Sequence, residues 1–416
     1  MIKKNCRLCS SRKLKIFLDL GSQPPSDQFL KAQKLNKENT VYPLKVANCM
    51  KCGFKQLNYV VDPKILYQDD YPYESSTTKA GSLHFDKFAE NVIYKFDIPK
   101  NSVILDIGSN VGVLLSSFRK RNMKAVGVDP APNICKIANS RGIKTFNSFF
   151  NDDFTKIFVS KYKKAKIITA TNVFAHVDNL NVFMQNIKKI LDLDGIFIVE
   201  APHFLNLVKK LEYDTIYHEH LSYITVQPLI SFFKKFGLEI IQVQNSDIHG
   251  GSIRIFISRK NKFKIDKSVQ LTLNNEKNHK LNNFKVLQNF SKKVANNKYD
   301  ILKFLINCKK NNKSVVGLSA PAKGMTLLNF SRIDNHFLDY VTEKSKLKIG
   351  RYTPGGNLEV FSDRKLLKTM PDYALILAWN FQKEIIKNNE EYLKNGGKFI
   401  IPIPKLKIIS KNNFKK

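Results

Sequence analysis

In the stretch Val103-Ile104-Leu105-Asp106-Ile107-Gly108-Ser109-Asn110-Val111-Gly112-Val113-Leu114-Leu115, an apolar run closes on an acid. It then passes through a turn bounded by Gly108 and Gly112 and reopens as an amphipathic segment. That order of residue types predicts a strand, a ligand-facing loop and a helix. Glycine lets the backbone approach a ligand that a Cβ would hold off, and a helix N-terminus offers unpaired N–H groups. A second apolar run, Ala125-Val126-Gly127-Val128, stops at Asp129, where a carboxylate is placed to bind a ribose diol. Two cofactors meet this description, a dinucleotide and S-adenosylmethionine (SAM). The dinucleotide fingerprint G-x-G-x-x-G needs glycines where this loop has Asn110 and Val113. The D-x-G-x-x-x-G pattern, with an acid after the next strand, fits SAM better.

A chain of 416 residues is too long for one compact core, so two or three domains are expected. No apolar run approaches the roughly 20 residues of a membrane span, and the N-terminus lacks a signal-peptide pattern, so a cytoplasmic protein is expected. The net charge of +34 invites a nucleic-acid partner. Lysine, however, is scattered along the chain with Asn and Ile, and no Arg-rich block with interleaved aromatics stands out. The diffuse basic field suits an anionic small substrate, and neither nucleic acid nor membrane is expected as partner.

Four of the six cysteines form two knuckles, Cys6-x-x-Cys9 and Cys49-x-x-Cys52, with Gly53 after the second. Four thiolates make the closed tetrahedral set of structural zinc, leaving no open position for chemistry. Cys135 and Cys308 stand alone.

Three domains follow: a zinc-binding unit over 1–70, a central unit over 71–260 and a C-terminal α/β unit over 261–416. The central unit opens with a helical lead-in (71–100) in which Leu83, Phe85, Phe88, Ala89, Val92 and Ile93 are the candidate buried positions. Strands at 103–107, 125–128, 166–171 and 196–200 alternate with helices, predicting a parallel sheet, followed by a hairpin over 239–258. A helical connector (262–312) leads to strands at 315–318, 338–341, 374–377 and 398–401.

The second cluster of chemistry is Tyr217-His218-Glu219-His220, preceded by Asp214-Thr215-Ile216. It follows a strand ending at Glu200-Ala201-Pro202, and His176 follows the strand before that; both therefore face the edge where open α/β sheets bind ligands. An imidazole titrating near neutrality suits removal of a carbon-bound proton, a carboxylate can orient it, and a phenol can hydrogen-bond a developing enolate. Metal ligation by His218 and His220 is the other reading, but H-E-x-x-H spacing is absent.

Together these motifs resemble the sugar C-methyltransferases that act on nucleotide-linked 4-keto deoxysugars. The resemblance runs through the paired knuckles, Tyr73-Glu74-Ser75-Ser76, the G-S-N-x-G loop and Asn172-Val173-Phe174-Ala175-His176. It continues through Asp214 to Tyr223, His249-Gly250-Gly251-Ser252, Ala320-Pro321-Ala322-Lys323-Gly324, Gly350-Arg351-Tyr352-Thr353-Pro354-Gly355 and Ala378-Trp379-Asn380. It implies an α/β architecture: a Rossmann-like class I SAM methyltransferase domain between a zinc-binding N-terminal domain and a C-terminal domain that helps hold the nucleotide sugar. It implies His220 as base, with Tyr217, Glu219, His176 and Tyr71 lining the same site. Cofactor contacts fall to Asp106, Gly108, Ser109, Asn110, Gly112, Asp129 and Asn172, and substrate contacts to Lys323, Arg351, Tyr352 and His249. Zinc falls to Cys6, Cys9, Cys49 and Cys52, and the substrate would be a thymidine-diphosphate-linked 4-keto sugar. Val111 stands where the family loop has an acid, which predicts a missing polar contact beside the cofactor. An Asp-containing turn is likewise replaced by Thr342-Glu343-Lys344-Ser345. A zinc-containing RNA methyltransferase is the alternative, though no N-P-P-Y segment for a flipped base follows the fourth strand. A methyltransferase of another small molecule is a further alternative.

Overall fold

The computed structural model describes residues 1–35, 40–67, 79–246 and 250–414, without the side chains of 79 and 80. Three sheets organise these residues. The first is antiparallel and joins β1 (Leu14–Gln23), β2 (Tyr42–Cys49) and β3 (Lys55–Leu57) to β9 (Ser222–Tyr223), a strand from far along the chain.

The second sheet holds β4 (Val103–Ile107), β5 (Lys124–Asp129), β6 (Thr145–Asn147), β7 (Ala165–Thr171), β8 (Leu191–Pro202), β10 (Leu238–Ser246) and β11 (Ser252–Arg259), in the order β10-β11-β8-β7-β4-β5-β6. Ile104, Leu105 and Ile107 are all buried, as expected of a strand covered on both faces. The expected parallel sheet is therefore mixed: β11 inserts antiparallel to both β8 and β10. The chain lays β5 and β6 on one side of β4 and then crosses to β7 and β8 on the other. The carboxyl ends of β4 and β7 thus flank the switch point where doubly wound sheets open a ligand crevice.

Helix Lys79–Lys95 buries Phe88, Ala89 and Val92. Leu83, an expected core position, is 56% exposed. At 100° per residue it lies about 140° around the helix from Phe88, on the solvent side. The short β6, with a single buried residue, was not anticipated.

The third sheet repeats the doubly wound plan. It contains β12 (Val315–Leu318), β13 (Val341–Glu343), β14 (Val360–Ser362), β15 (Tyr373–Ile376), β16 (Lys398–Ile401) and β17 (Lys407–Ile409), in the order β14-β13-β12-β15-β16-β17. Only β17 runs antiparallel to its neighbour. The strand expected at 338–341 begins instead at Val341, which pairs with Gly317, while Leu338 is buried ahead of it. The connector forms the helices Lys267–Asn278 and Phe284–Lys310.

The sheets share their cores. One apolar cluster runs from Phe17 and Leu44 through Tyr213, Ile216 and Leu221 to Val315 and Leu375. Another joins Cys6, Cys49 and Phe54 to Leu105, Ile168 and Val199. No helix among the described residues is long and apolar enough to cross a membrane.

Candidate active site

The loop after β4 depends on left-handed backbone at Gly108 (φ +65°), Asn110 (φ +51°) and Gly112 (φ +79°). A Cβ on Gly108 would stand 2.3 Å from Val173 Cγ2, and one on Gly112 2.6 Å from Ile143 Cγ2. Asp129, at the end of β5, ties this loop to the next: Oδ2 accepts from Asn110 N (2.9 Å) and Oδ1 from Ala131 N (3.0 Å). Each oxygen keeps acceptor capacity for a diol. Burial raises the pKa of Asp129.

Asp106, in β4, reaches across to β7, where Oδ1 accepts from Thr169 Oγ1 at 2.6 Å, and burial pushes its pKa up to about 7. Asn172 (φ +56°) turns the chain after β7 and donates its N–H to Glu200 O at 2.7 Å. Ser109 Oγ, Thr171 Oγ1 and His176 Nε2 are buried without a hydrogen-bond partner among the described residues. A carboxylate, a left-handed loop and orphaned polar atoms at adjoining strand ends fit a polar nucleoside cofactor such as SAM. Val111 is 2% exposed and packs with Ala131 and Ile134, so apolar contacts occupy the place of the expected acid.

The Tyr217–His220 segment divides its side chains. His220 Nδ1 lies 2.7 Å from Thr215 O; a carbonyl only accepts, so Nδ1 carries the proton and Nε2 is the basic nitrogen. The His220 ring centroid is 4.0 Å from that of Tyr217 and 5.0 Å from that of His176. His176 is held uncharged by burial and, secondarily, by His220, which put its pKa well below 6.5. Its Nδ1 is 3.0 Å from Tyr67 Oη, and the two rings stack. Burial and the nearby Glu219 carboxylate keep that phenol protonated. Tyr67 escaped the sequence reading because it ends a short apolar helix with no motif around it. Glu219 is 3% exposed. Tyr71 and His249 lie outside the described residues.

His218 points the other way and donates from Nε2 to Tyr42 O in β2 at 3.1 Å. Burial lowers its pKa to about 4, against about 6.5 in an unfolded chain. Between those values the unfolded chain binds a proton that the folded chain refuses, so this group makes stability rise with pH across that window. In His218→Gln, the slope of unfolding free energy against pH from 4 to 6.5, measured by urea titration, should fall by up to about 1.4 kcal/mol per pH unit. An unchanged slope would contradict the buried, neutral assignment.

On the C-terminal side, Trp379 Nε1 donates to Asp214 Oδ2 at 2.6 Å. The Lys323 ammonium lies over the Trp379 ring, 4.6 Å from its centroid, and donates to Asn380 Oδ1. Burial pushes Asp214 up to about 6, opposed by Lys323; it pushes Glu212 up to about 7, with Asp214 adding to the rise. Tyr352 exchanges backbone hydrogen bonds with Leu30, and Arg351 precedes it, half-buried. Glu343, at the end of β13, accepts from the backbone N–H groups of Ala320, Lys344 and Ser345. A His84–Glu200–Arg254 cluster, with Glu200 and Arg254 buried, was not foreseen: His84 Nε2 and Arg254 Nε meet Glu200 at 2.9 and 2.8 Å, and Arg254 stacks on Phe88.

The four knuckle sulfurs all lie within 4.8 Å of one another, with Cys6–Cys52 and Cys9–Cys49 at 3.6 Å. Zn–S bonds of about 2.3 Å in a tetrahedron set sulfurs about 3.8 Å apart, so the four thiols are grouped closely enough to hold zinc. Gly53 is left-handed (φ +77°), and a Cβ there would meet Asn282.

Family models match the chain in three consecutive stretches: a zinc binding domain over 6–67, a methyltransferase domain over 83–243 and a C-methyltransferase C-terminal domain over 247–404. The sheet order, the loop after β4 and these matches define a SAM-dependent methyltransferase with a zinc-binding domain. C-methyltransferase NovU of Streptomyces niveus is 29% identical over 406 residues, covering 97% of this chain and 96% of that one. The three matches follow one another along the chain, and the likeness to that C-methyltransferase runs nearly end to end. Among solved structures, magnesium protoporphyrin IX methyltransferase of Synechocystis PCC 6803 with bound SAM matches 43% of this chain and 79% of its own, at 10% identity and TM-score 0.33. A SAM-dependent methyltransferase of Clostridium acetobutylicum ATCC 824 matches 43% and 92%, at 13% identity and TM-score 0.35.

Proposed function

We propose that the enzyme removes a proton from C3 of a nucleotide-linked 4-keto deoxysugar and methylates the resulting enolate carbon. The observation that carries this reading is His220, whose Nδ1–H is committed to Thr215 O while its ring lies beside an uncharged His176 and Tyr217. A ketone at C4 acidifies the adjacent C–H, and a neutral imidazole with a fixed tautomer is suited to take that proton. His176 Nε2 and the Tyr217 hydroxyl serve as donors to the enolate oxygen, and buried donors of this kind need no reorganisation as charge develops. Glu219, beside Tyr67, orders the phenol–imidazole pair, and Tyr71 is assigned to the same site. SAM supplies an electrophilic methyl group on its sulfonium. Gly108, Ser109, Asn110, Gly112 and Asn172 shape its cradle, braced by Asp106, with Asp129 on the ribose.

Lys323, whose ammonium is felt by Asp214 and Glu212, and Arg351 are assigned to the diphosphate, with Tyr352 and His249 as further substrate contacts. A thymidine diphosphate sugar is the preferred substrate, by family resemblance. The test is mass spectrometry of the purified enzyme with SAM and a panel of thymidine- and uridine-diphosphate 4-keto deoxysugars in deuterated water. Addition of one methyl at carbon, with deuterium entering C3 of sugar that is deprotonated but not yet methylated, is the expected result. SAM binding with neither signal on any sugar would overturn the substrate class.

A further inference from the structure

Arg7 sits inside the first knuckle, between Cys6 and Cys9, and is 7% exposed. Its guanidinium reaches both histidine-bearing loops: Nη1 donates to Leu221 O at 2.7 Å, and Nε donates to Asp178 Oδ1 at 3.3 Å. Leu221 follows His220, and Asp178 is two residues beyond His176. Lys3 holds the other oxygen of Asp178 at 2.6 Å, and Arg7 N donates to Gln56 Oε1 at 2.9 Å, so the fork is anchored at its base.

We infer that Arg7 is a positioning residue for the methylation, setting the separation of His220 and His176 from within the zinc knuckle. The inference rests on the assignment of His220 as base. A guanidinium presents several donors in one rigid plane, so two loops bonded to it cannot drift independently; an ammonium is a point donor and cannot reproduce the fork. A metal bound by the four thiolates would hold the backbone that carries Arg7 and, through it, the separation of the two rings. A misplacement of about 1 Å in such a pair costs on the order of 100-fold in rate.

The experiment compares full-length Arg7→Lys, Arg7→Ala and Asp178→Asn with the parent. Zinc content, SAM affinity, kcat and KM on the methylated 4-keto sugar, and histidine-labelled NMR are recorded. Asp178 is one-third exposed, so its variant reports even where Arg7→Ala fails to fold. The expected result for Arg7→Lys is full zinc, SAM affinity and KM within about threefold of the parent, and kcat down by about 10- to 100-fold. The His220–His176 ring contact and the His220 Nδ1–H resonance should weaken together, and Asp178→Asn should show a smaller loss of the same kind. Unchanged ring contact and kcat in Arg7→Lys and Asp178→Asn would overturn the inference, independently of which residue is the base. A lost ring contact with kcat intact would also overturn it, by removing His220 from the reaction.

Discussion

Replacing His220 by alanine is expected to lower methyl transfer by about 10²- to 10⁴-fold, the usual contribution of a positioned base. Deuterium entry at C3 should fall in parallel, because proton removal and methylation share the same carbon. SAM affinity, measured by calorimetry, should stay within about threefold, since His220 belongs to neither the Gly108–Gly112 loop nor Asp129. His220→Gln separates proton transfer from shape: its amide can still donate to Thr215 O but cannot accept the C3 proton. Equal losses in the two variants would mark the imidazole as the base. Methylation within tenfold of the parent in both would return the assignment to His176 or to another group.

Removing the metal should have an effect as large, but on order rather than chemistry. Structural zinc held by four thiolates binds with about 10–16 kcal/mol of apparent free energy, and that binding drives folding of its domain. Here the domain contributes Cys6, Cys49 and Phe54 to a core shared with the central sheet, and β3 pairs with β9 just after His220. One zinc per chain is expected by elemental analysis. Chelation, or Cys49→Ser, should lower the melting temperature and raise hydrogen exchange across β1, β2, β3 and β9, with β4 and β5 the last to lose protection. Full protection of β1–β3 in metal-free protein would show that the knuckles are held by packing alone.

What could be read from the chain was whatever a short stretch specifies on its own. The run from β4 through Gly112, the acid closing β5 and the C-x-x-C pairs are local patterns with a physical reason at each position, and they fall where expected. β6 was invisible because three residues with one buried side chain have no period to detect. The antiparallel insertion of β11 was hidden too, since a hairpin's pattern does not say which edge it will join. His218 and His220 are two residues apart yet diverge, one to Tyr42 O and the other to Thr215 O; that choice is made by partners, not spacing. Asp214 and Trp379 stand 165 positions apart, and their hydrogen bond leaves no trace in either neighbourhood. Val111 shows how a departure from a family pattern can be absorbed: Ala131 and Ile134 supply an apolar niche where a polar contact was expected to be missing.

The pairing of β3 with β9 bears on how the chain is assembled as it leaves the ribosome. At translation speeds of about 5–20 residues per second, the edge of β3 emerges with residue 57 and waits roughly 10–30 s for residue 223 to reach it. Lys55 waits longer still, for Asn282, the acceptor of its buried ammonium. The amino-terminal sheet is thus made first and completed late. Throughout that interval a nascent chain carries an open strand edge, which makes slow, vectorial synthesis the stage at which this enzyme is most exposed to mispairing.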